Sequence, residues 1–385
     1  MIDLKINGIV LRVKNTALGD VGSIDVLGKT LVEWTGGAFG FSYNVVECSQ
    51  VVNMTERIQS AVDRKKPVTV VLYGDTPLVT QRTVNEAVKA LEDGNLNALK
   101  LPRGFVFKTD YLFELDTMFF QAGPADREFD TVTDSESLSR VTDVLRRRIL
   151  KYHSARGVII HDFNNTYIDC AAAIEAGAVI EPYNFIKGKT VIKSGAHILP
   201  GNRIENCVIG SNAKIDSSRL YNSSIGDGTT VGPFAYIRPN TVVGKNCRIG
   251  DFVELKNCVI GDGSKVSHLT YIGDAELGLD CNVGCGVVFA NYDGKNKFRS
   301  VVGNRVFIGS NANIVAPVEI ADRAFIAAGS TITNNVPTQA LAVARARQTL
   351  IPSWRGNVYA PPIIEERATK PETSSANDTT GENND

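Results

Sequence analysis

Between Arg238 and Lys297 the sequence gathers residues that could hold and activate a small charged molecule. Arg238, Lys256 and Lys297 are cations suited to a phosphate, Tyr271 adds a hydroxyl, and Asn282 and Asn291 offer amides that can read hydroxyl groups. His268 stands among them, and a neutral imidazole, with its ordinary pKa near about 6.5, can take the proton of an attacking amine. Such a set suits a phosphorylated compound that carries hydroxyls and an amine. Taken singly, each residue would read as an exposed polar side chain, and a lone histidine is more often structural. Their joint occurrence inside an otherwise aliphatic repeat is what singles them out.

That repeat has a period of six. Ile168, Ile174, Ile180, Ile186, Ile192, Ile198 and Ile204 follow one another at this spacing, and after a slip Ile209 and Ile215 continue it. Further runs are Ile225, Val231, Ile237, Val243, Ile249, Leu255; then Ile260, Val266, Ile272; then Leu277, Val283; and finally Val302, Ile308, Ile314, Ile320, Ile326, Ile332. A helix repeats every 3.6 residues and a half-buried strand every two, so six means one inserted residue per short strand and corner. Three such units close a triangular coil, and roughly nine coils are expected from Thr166 to Val336. Glycine often follows the aliphatic residue, as at Gly226 and Gly244, where a side chain would clash or a positive φ is needed. The repeat lapses between Val283 and Val302, so Phe289 to Ser300 is expected to loop out, and loops on a rigid scaffold commonly carry function.

The remainder divides by composition. Residues 1–133 read as a mixed α/β domain, with Val68–Leu72 a buried parallel strand, Asp75 at its carboxyl end and a helix over 80–93. Residues 134–156 are a linker helix whose run Arg146, Arg147, Arg148 reads as a solvated face. The β-helix occupies 157–338, a closing helix and strap 339–365, and a polar, disordered tail 366–385. The net charge of −1 gives no preference for nucleic acid or anionic membrane. Seven cysteines without a C-x-x-C pair read as reduced, packed thiols. Neither a signal-peptide core nor a membrane-length apolar run is found, so no membrane insertion and a cytoplasmic address are expected.

The segments GPFAYIRPNTVVGKN, DFVELKN, SHLTYIGDAELG, NVGCG, NYDGKNKF and VFIGS, spread between Gly232 and Ser310, resemble a known family. It is that of the bifunctional N-acetylglucosamine-1-phosphate uridyltransferase and glucosamine-1-phosphate acetyltransferase, and the likeness is strong over about residues 155 to 350. It implies a left-handed parallel β-helix, acetyl-CoA as cosubstrate, a sugar phosphate as acceptor and a homotrimer whose sites lie between subunits. By this resemblance Arg238, Lys256, Tyr271 and Lys297 hold the phosphate, and Asn282 and Asn291 orient the sugar and its amine. His268 aligns with the catalytic base and Glu254 with an acidic residue that helps set the site. Coenzyme A meets Ser310, Ala328 and Arg345. Cys285 replaces the family's small alanine in the acyl pocket, and a backbone N–H at the Asn291-Tyr292 turn is the candidate oxyanion donor.

Upstream the resemblance fails. The glycine-rich phosphate motif of the family's nucleotidyltransferase domain is replaced by Leu11–Leu18, its second motif survives only as Gln50–Met54, and the domain is short. Asp75 in LYGDTPL and Asp134 match the two Mg²⁺ ligands, so a possible Mg²⁺ site, more simply vestigial, is expected there. The leading reading is a glucosamine-1-phosphate N-acetyltransferase. The alternatives are an enzyme that keeps both activities and a silent β-helix scaffold. A γ-type carbonic anhydrase needs clustered histidines, and His153, His161, His197 and His268 do not cluster in sequence.

Overall fold

A computed structural model describes residues 5–15, 17–48, 54–114, 121–122 and 127–352. The chain up to Arg345 forms one compact unit and the remainder from Ala346 another, of which 346–352 are described and are irregular and exposed. The expected motif remnant at Gln50–Asn53 and the tail over 366–385 lie outside the described residues.

The α/β part is built on the strand Ile6–Asn15, which pairs in parallel with Asn44–Cys48 on one side and Val68–Tyr73 on the other. Val68, Val70, Val71 and Leu72 are all buried, as the unbroken apolar run requires. Beyond them Gly104–Lys108 and Ala98–Leu101 add antiparallel strands, so the sheet is mixed. The helix Gln81–Asp93 packs Val84, Ala87, Val88 and Leu91 inward, and the Thr80 hydroxyl accepts from the Thr83 N–H at its start.

A long helix, Ser135–Ser154, leads into the repeat. Its arginine run is not the solvated face expected. Arg146 is buried, donates to the Phe163 carbonyl, pairs with Asp143 and lies over the Tyr167 ring. Arg148 donates to the Leu78 carbonyl at 2.8 Å and lies 3.8 Å from Glu128. Only Arg147 keeps an exposed, Asp143-paired position. The helix packs on the α/β domain through Val141 and Leu145 and on the β-helix core through Ile149 and Leu150, and the two guanidinium groups donate to a carbonyl on each side. Leu27 and Trp34 pack on the β-helix core from the same direction, and the Cys170 N–H donates to the Leu27 carbonyl.

From Ile159 the chain winds into the left-handed parallel β-helix, with three ladders of eleven, ten and nine strands, about ten coils and so slightly more than expected. The first face runs from Ile159–Ile160 to Leu341–Ala342, the second from Tyr167–Ile168 to Thr331–Ile332, and the third from Ala173–Ile174 to Glu319–Ile320. Every aliphatic residue named above from the repeat is buried. Leu220 and Phe289 complete the second ladder, Phe289 pairing with Ile314 and being fully buried. Phe289 therefore belongs to the coil and not to the extruded loop. The loop proper is 291–299, closed by an antiparallel bridge between Tyr292 and Lys297.

Two devices tighten the corners. Asn206, Asn212, Asn222, Asn240, Asn246, Asn257 and Asn311 adopt φ of 43° to 61°, the left-handed region that asparagine tolerates. Gly226 answers a different need. A Cβ there would lie 2.4 Å from the Gly244 backbone of the next coil. Cys207, Cys247, Cys258 and Cys281 are buried free thiols within the β-helix core, and burial pushes the Cys258 thiol up to about 12.

The segment after the last coil is not the helix expected from Gln339 onward. Leu341–Ala342 pairs with Phe325–Ile326, and the Thr331 N–H donates to the Ala344 carbonyl. Extended chain here supplies the last coil's hydrogen bonds, which a helix could not do. Gly226→Ala should lower the apparent melting temperature, costing about 1–3 kcal/mol or more because backbone cannot yield. Gly37→Ala is the control, since a Cβ there meets nothing within 4 Å. Equal melting curves for the two variants would show that the coil spacing is not close-packed at Gly226.

Candidate active site

Residues 17 or 18 apart fall one above the other on consecutive coils. This spacing turns distant sequence positions into columns. At the corner between the first and second faces, Asp251 pairs in register with His268. Val266 pairs with Val283, which carries the register from His268 to Cys285, and the Gly286 N–H donates to the His268 carbonyl. The Asn311 N–H donates to the Cys285 carbonyl and the Gly329 N–H to the Ser310 carbonyl, so Ser310 and Ala328 continue the line. With coils about 4.8 Å apart, His268 to Ala328 is a strip about 14 Å long. A Cβ placed on Gly329 would be 3.7 Å from Arg345 Cδ, so Arg345 lies at the far end of the strip.

His268 is half exposed, and its Nδ1 is 2.5 Å from Asp251 Oδ1. The hydrogen bond from His268 holds the Asp251 carboxyl below the usual carboxylate range. An ionised carboxylate accepts only, so Nδ1 carries the proton and Nε2 presents its lone pair outward when the ring is neutral. Asp251 was not among the residues singled out from the sequence. Its signal was the interval of one coil that separates it from His268.

The second face carries the cations expected from the sequence to hold a phosphate. Arg238 and Lys256 directly follow the inserted Ile237 and Leu255, while Glu254 and Tyr271 directly precede Leu255 and Ile272. Arg238 Nη1 donates to Glu254 Oε1 at 2.7 Å, so Glu254 is the partner of Arg238, and Asp251 is the carboxylate on the histidine. The Lys297 ammonium lies against Lys256 and lowers its pKa, with burial and Arg238 adding to the effect. Crowded ammonium groups beside a guanidinium are an arrangement that an anion relieves. Tyr271 is partly buried beside them.

The extruded loop returns to this face. Asn291 is buried and its Nδ2 donates to Asp274 Oδ2, while Tyr292 is exposed with its hydroxyl 2.6 Å from the Gly294 carbonyl. Asn282 stands apart. It lies on the first face in one column with Lys265 and Phe307, so a single chain does not bring it to the cations of the second face.

The two aspartates of the α/β domain do not fit a metal site. Asp75 is buried and its carboxylate is gripped by Arg103, Nε to Oδ1 at 3.2 Å and Nη2 to Oδ2 at 2.7 Å. Asp134 caps the helix Ser135–Ser154, accepting from the Ser137 N–H at 2.8 Å. Among the described residues no group of three or more His, Cys, Asp or Glu is placed to hold a metal ion. A guanidinium stands where a divalent cation would be needed, and no step is assigned to Mg²⁺.

Residues 220–306 match the family described as the GMPPB C-terminal domain, and 299–334 match the bacterial transferase hexapeptide (six repeats). The chain is 45% identical over 276 residues to the bifunctional protein GlmU of Clostridium acetobutylicum, covering 71% of this chain and 59% of that protein. It is 51% identical over 223 residues to the bifunctional protein GlmU of Clostridium kluyveri, covering 58% of this chain and 49% of that one. For the protein of the same name from Clostridioides difficile the identity is 48% over 233 residues, 60% of this chain and 51% of that one. This chain thus spans about half to three fifths of the length of these curated relatives. The likeness read from the motifs is to the GlmU proteins.

The pairing of His268 with Asp251 has a titration consequence. Because the carboxyl midpoint is depressed in the folded protein, the pair's contribution is present above the ordinary aspartate value of about 3.9 and is lost as pH falls through the folded midpoint. His268→Ala should move the Asp251 midpoint back up toward the ordinary range in a carboxyl ¹³C titration. An unmoved midpoint would mean that the pair does not form in solution.

Proposed function

We propose that the chain is a glucosamine-1-phosphate N-acetyltransferase that uses acetyl-CoA, acting in UDP-N-acetylglucosamine synthesis. The observation that carries the reading is a pair of columns that flank the second face of the β-helix: the strip from His268 to Ala328 at one corner, and the cations Arg238, Lys256 and Lys297 toward the other. The strip matches an elongated thioester cosubstrate, and the cations match the dianionic phosphate of the acceptor.

In this reading the phosphate sits on Arg238, Lys256 and Lys297 with Tyr271, and Asn291 and Asn282 orient the sugar ring. The coenzyme lies along Cys285, Ser310 and Ala328, with Arg345 meeting its phosphates. The substrate amine faces His268 Nε2, which takes a proton as the nitrogen attacks the thioester carbonyl. Asp251 keeps the ring oriented and stabilises the imidazolium that forms. The tetrahedral oxyanion accepts a backbone N–H at the Asn291-Tyr292 turn, and its collapse forms the amide and expels the coenzyme A thiolate, which the imidazolium can protonate. Direct transfer between two bound substrates needs no cysteine nucleophile. A cytoplasmic address fits these soluble substrates. No helix among the described residues is long and apolar enough to cross a membrane.

His268→Ala should cut acetyl transfer about a hundredfold or more, the usual scale for losing a general base, with substrate binding little changed. Arg238→Ala and Lys297→Ala should instead raise KM for the sugar phosphate, since each removes a charge-assisted contact. Near-normal turnover in the histidine variant, or an unchanged KM in both cation variants, would contradict these roles.

The separation of Asn282 from the second face supports a site completed by another copy of the chain, and we assign a trimer. A flat coil face offers only one wall, and threefold symmetry would supply the other at three equal sites. Light scattering should report about three times the chain mass of 41.6 kDa. A fully active monomer would contradict the shared site.

A further inference from the structure

Asn257, Asp274 and Asn291 form a column at the corner between the second and third faces, each one coil from the next. Asp274 stands in the middle, only 8% exposed. Asn257 Nδ2 donates to its Oδ1 at 2.5 Å, and Asn291 Nδ2 donates to its Oδ2. Its main chain is committed as well. The Asp274 N–H donates to the Lys256 carbonyl, and its own carbonyl accepts the Ser300 N–H where the extruded loop rejoins the coil. Asn291 is the residue at which that loop leaves, so one aspartate grips both ends of the loop.

The neighbours make the carboxylate more than a tether. Burial works to raise the Asp274 pKa, and the amides of Asn257 and Asn291 with the charges of Lys256 and Lys297 outweigh it, leaving it lowered. An ionised carboxylate has acceptors and no donor. An amide beside it must therefore turn its NH₂ inward, and its carbonyl oxygen is left facing the other way. Gly273 makes room for this arrangement, because a Cβ there would lie 2.3 Å from the Tyr271 hydroxyl and 3.0 Å from Asn291 Nδ2.

We infer that Asp274 is a positioning residue that fixes the Asn291 amide so that its carbonyl oxygen, and not its NH₂, is presented to the acceptor substrate. An acceptor oxygen at that point favours a ligand that brings a donor, an amine or a hydroxyl, and disfavours one whose nearest group can only accept. The inference rests on the acetyltransferase reading and adds to it a reason for selecting an amino sugar. Asp274→Asn keeps the shape but removes the acceptor-only constraint, so the Asn291 amide can adopt either orientation.

The test is a double-mutant cycle in the full-length chain, with glucosamine-1-phosphate and acetyl-CoA as probes and melting curves to confirm folding. Asp274→Asn should raise KM for the amino sugar phosphate about tenfold, the scale of one hydrogen bond to a polar group, and leave KM for acetyl-CoA within about twofold. In an Asn291→Ala background the same change should alter either constant by less than about twofold. An equal effect in both backgrounds, or a parallel rise in both KM values, would make Asp274 a structural tether only and overturn the inference. A second readout does not depend on turnover. The Asn291 side-chain NH₂ resonances, assigned by their loss in Asn291→Ala, should shift in Asp274→Asn, and unshifted resonances would overturn the inference even in an active enzyme. If the unmodified protein transfers no acetyl group, the functional reading fails, and the resonance shift still decides the orientation claim.

Discussion

The hydrogen bonds between successive coils are the constraint on which the rest depends. The short strands donate N–H groups to the coil beside them and insert an apolar residue whose exchange for its outward neighbour would turn the core residue to solvent. Register is thereby fixed along the whole solenoid, from Ile160 above Ile180 to Ile326 above Ala342. Once register is fixed, the outward side chains have no freedom either. They stand in columns about 4.8 Å apart, and chemistry can be placed by choosing which coil carries which residue.

The site uses those columns in pairs. His268 stands one coil from Asp251, Asn291 one coil from Asp274, and Arg238 reaches Glu254 on the adjacent coil. The cations Lys256 and Lys297 are brought together with the loop closing the distance, an arrangement that favours an anion. The α/β domain treats its charges in the opposite way. Arg103 neutralises Asp75 at the carboxyl end of a strand, and Arg12 with Ser23 holds the Asp20 carboxyl down at about 2. Arg146 and Arg148 bind that domain to the first coils. Its cations are paired within its own structure; on the β-helix face Arg238 is likewise paired, with Glu254, but Lys256 and Lys297 crowd each other.

The β-helix was legible because a period of six has a single physical meaning, and the inserted isoleucines alone define most of three ladders. Phe289 escaped that pattern because an aromatic residue beside a long insertion looks like part of the loop, although it fills the same slot as Ile272 and Ile314. The closing helix after Gln339 failed because local composition says nothing about the open hydrogen bonds of the last coil. The arginine run differs from a solvated face because Arg146 and Arg148 turn to carbonyls of the flanking layers, and only Arg147 stays on the solvent side of the helix. Within the site, side chains with distinctive chemistry such as His268 and Lys256 could be found by motif. Asp251 and Asp274 could not, because an aspartate gains its role only from what lies one coil away. The Asp75 and Arg103 pair was equally hidden, for Arg103 comes from the turn between two antiparallel strands.

The proposed function places acetyl transfer on the β-helix and no nucleotidyl transfer in the α/β domain. One incubation addresses both halves: the full chain with glucosamine-1-phosphate, acetyl-CoA, UTP and Mg²⁺, followed by separation of the products. N-acetylglucosamine-1-phosphate should accumulate together with free coenzyme A and without pyrophosphate. Stoichiometric pyrophosphate and UDP-N-acetylglucosamine, or no acetylated sugar at all, would contradict it.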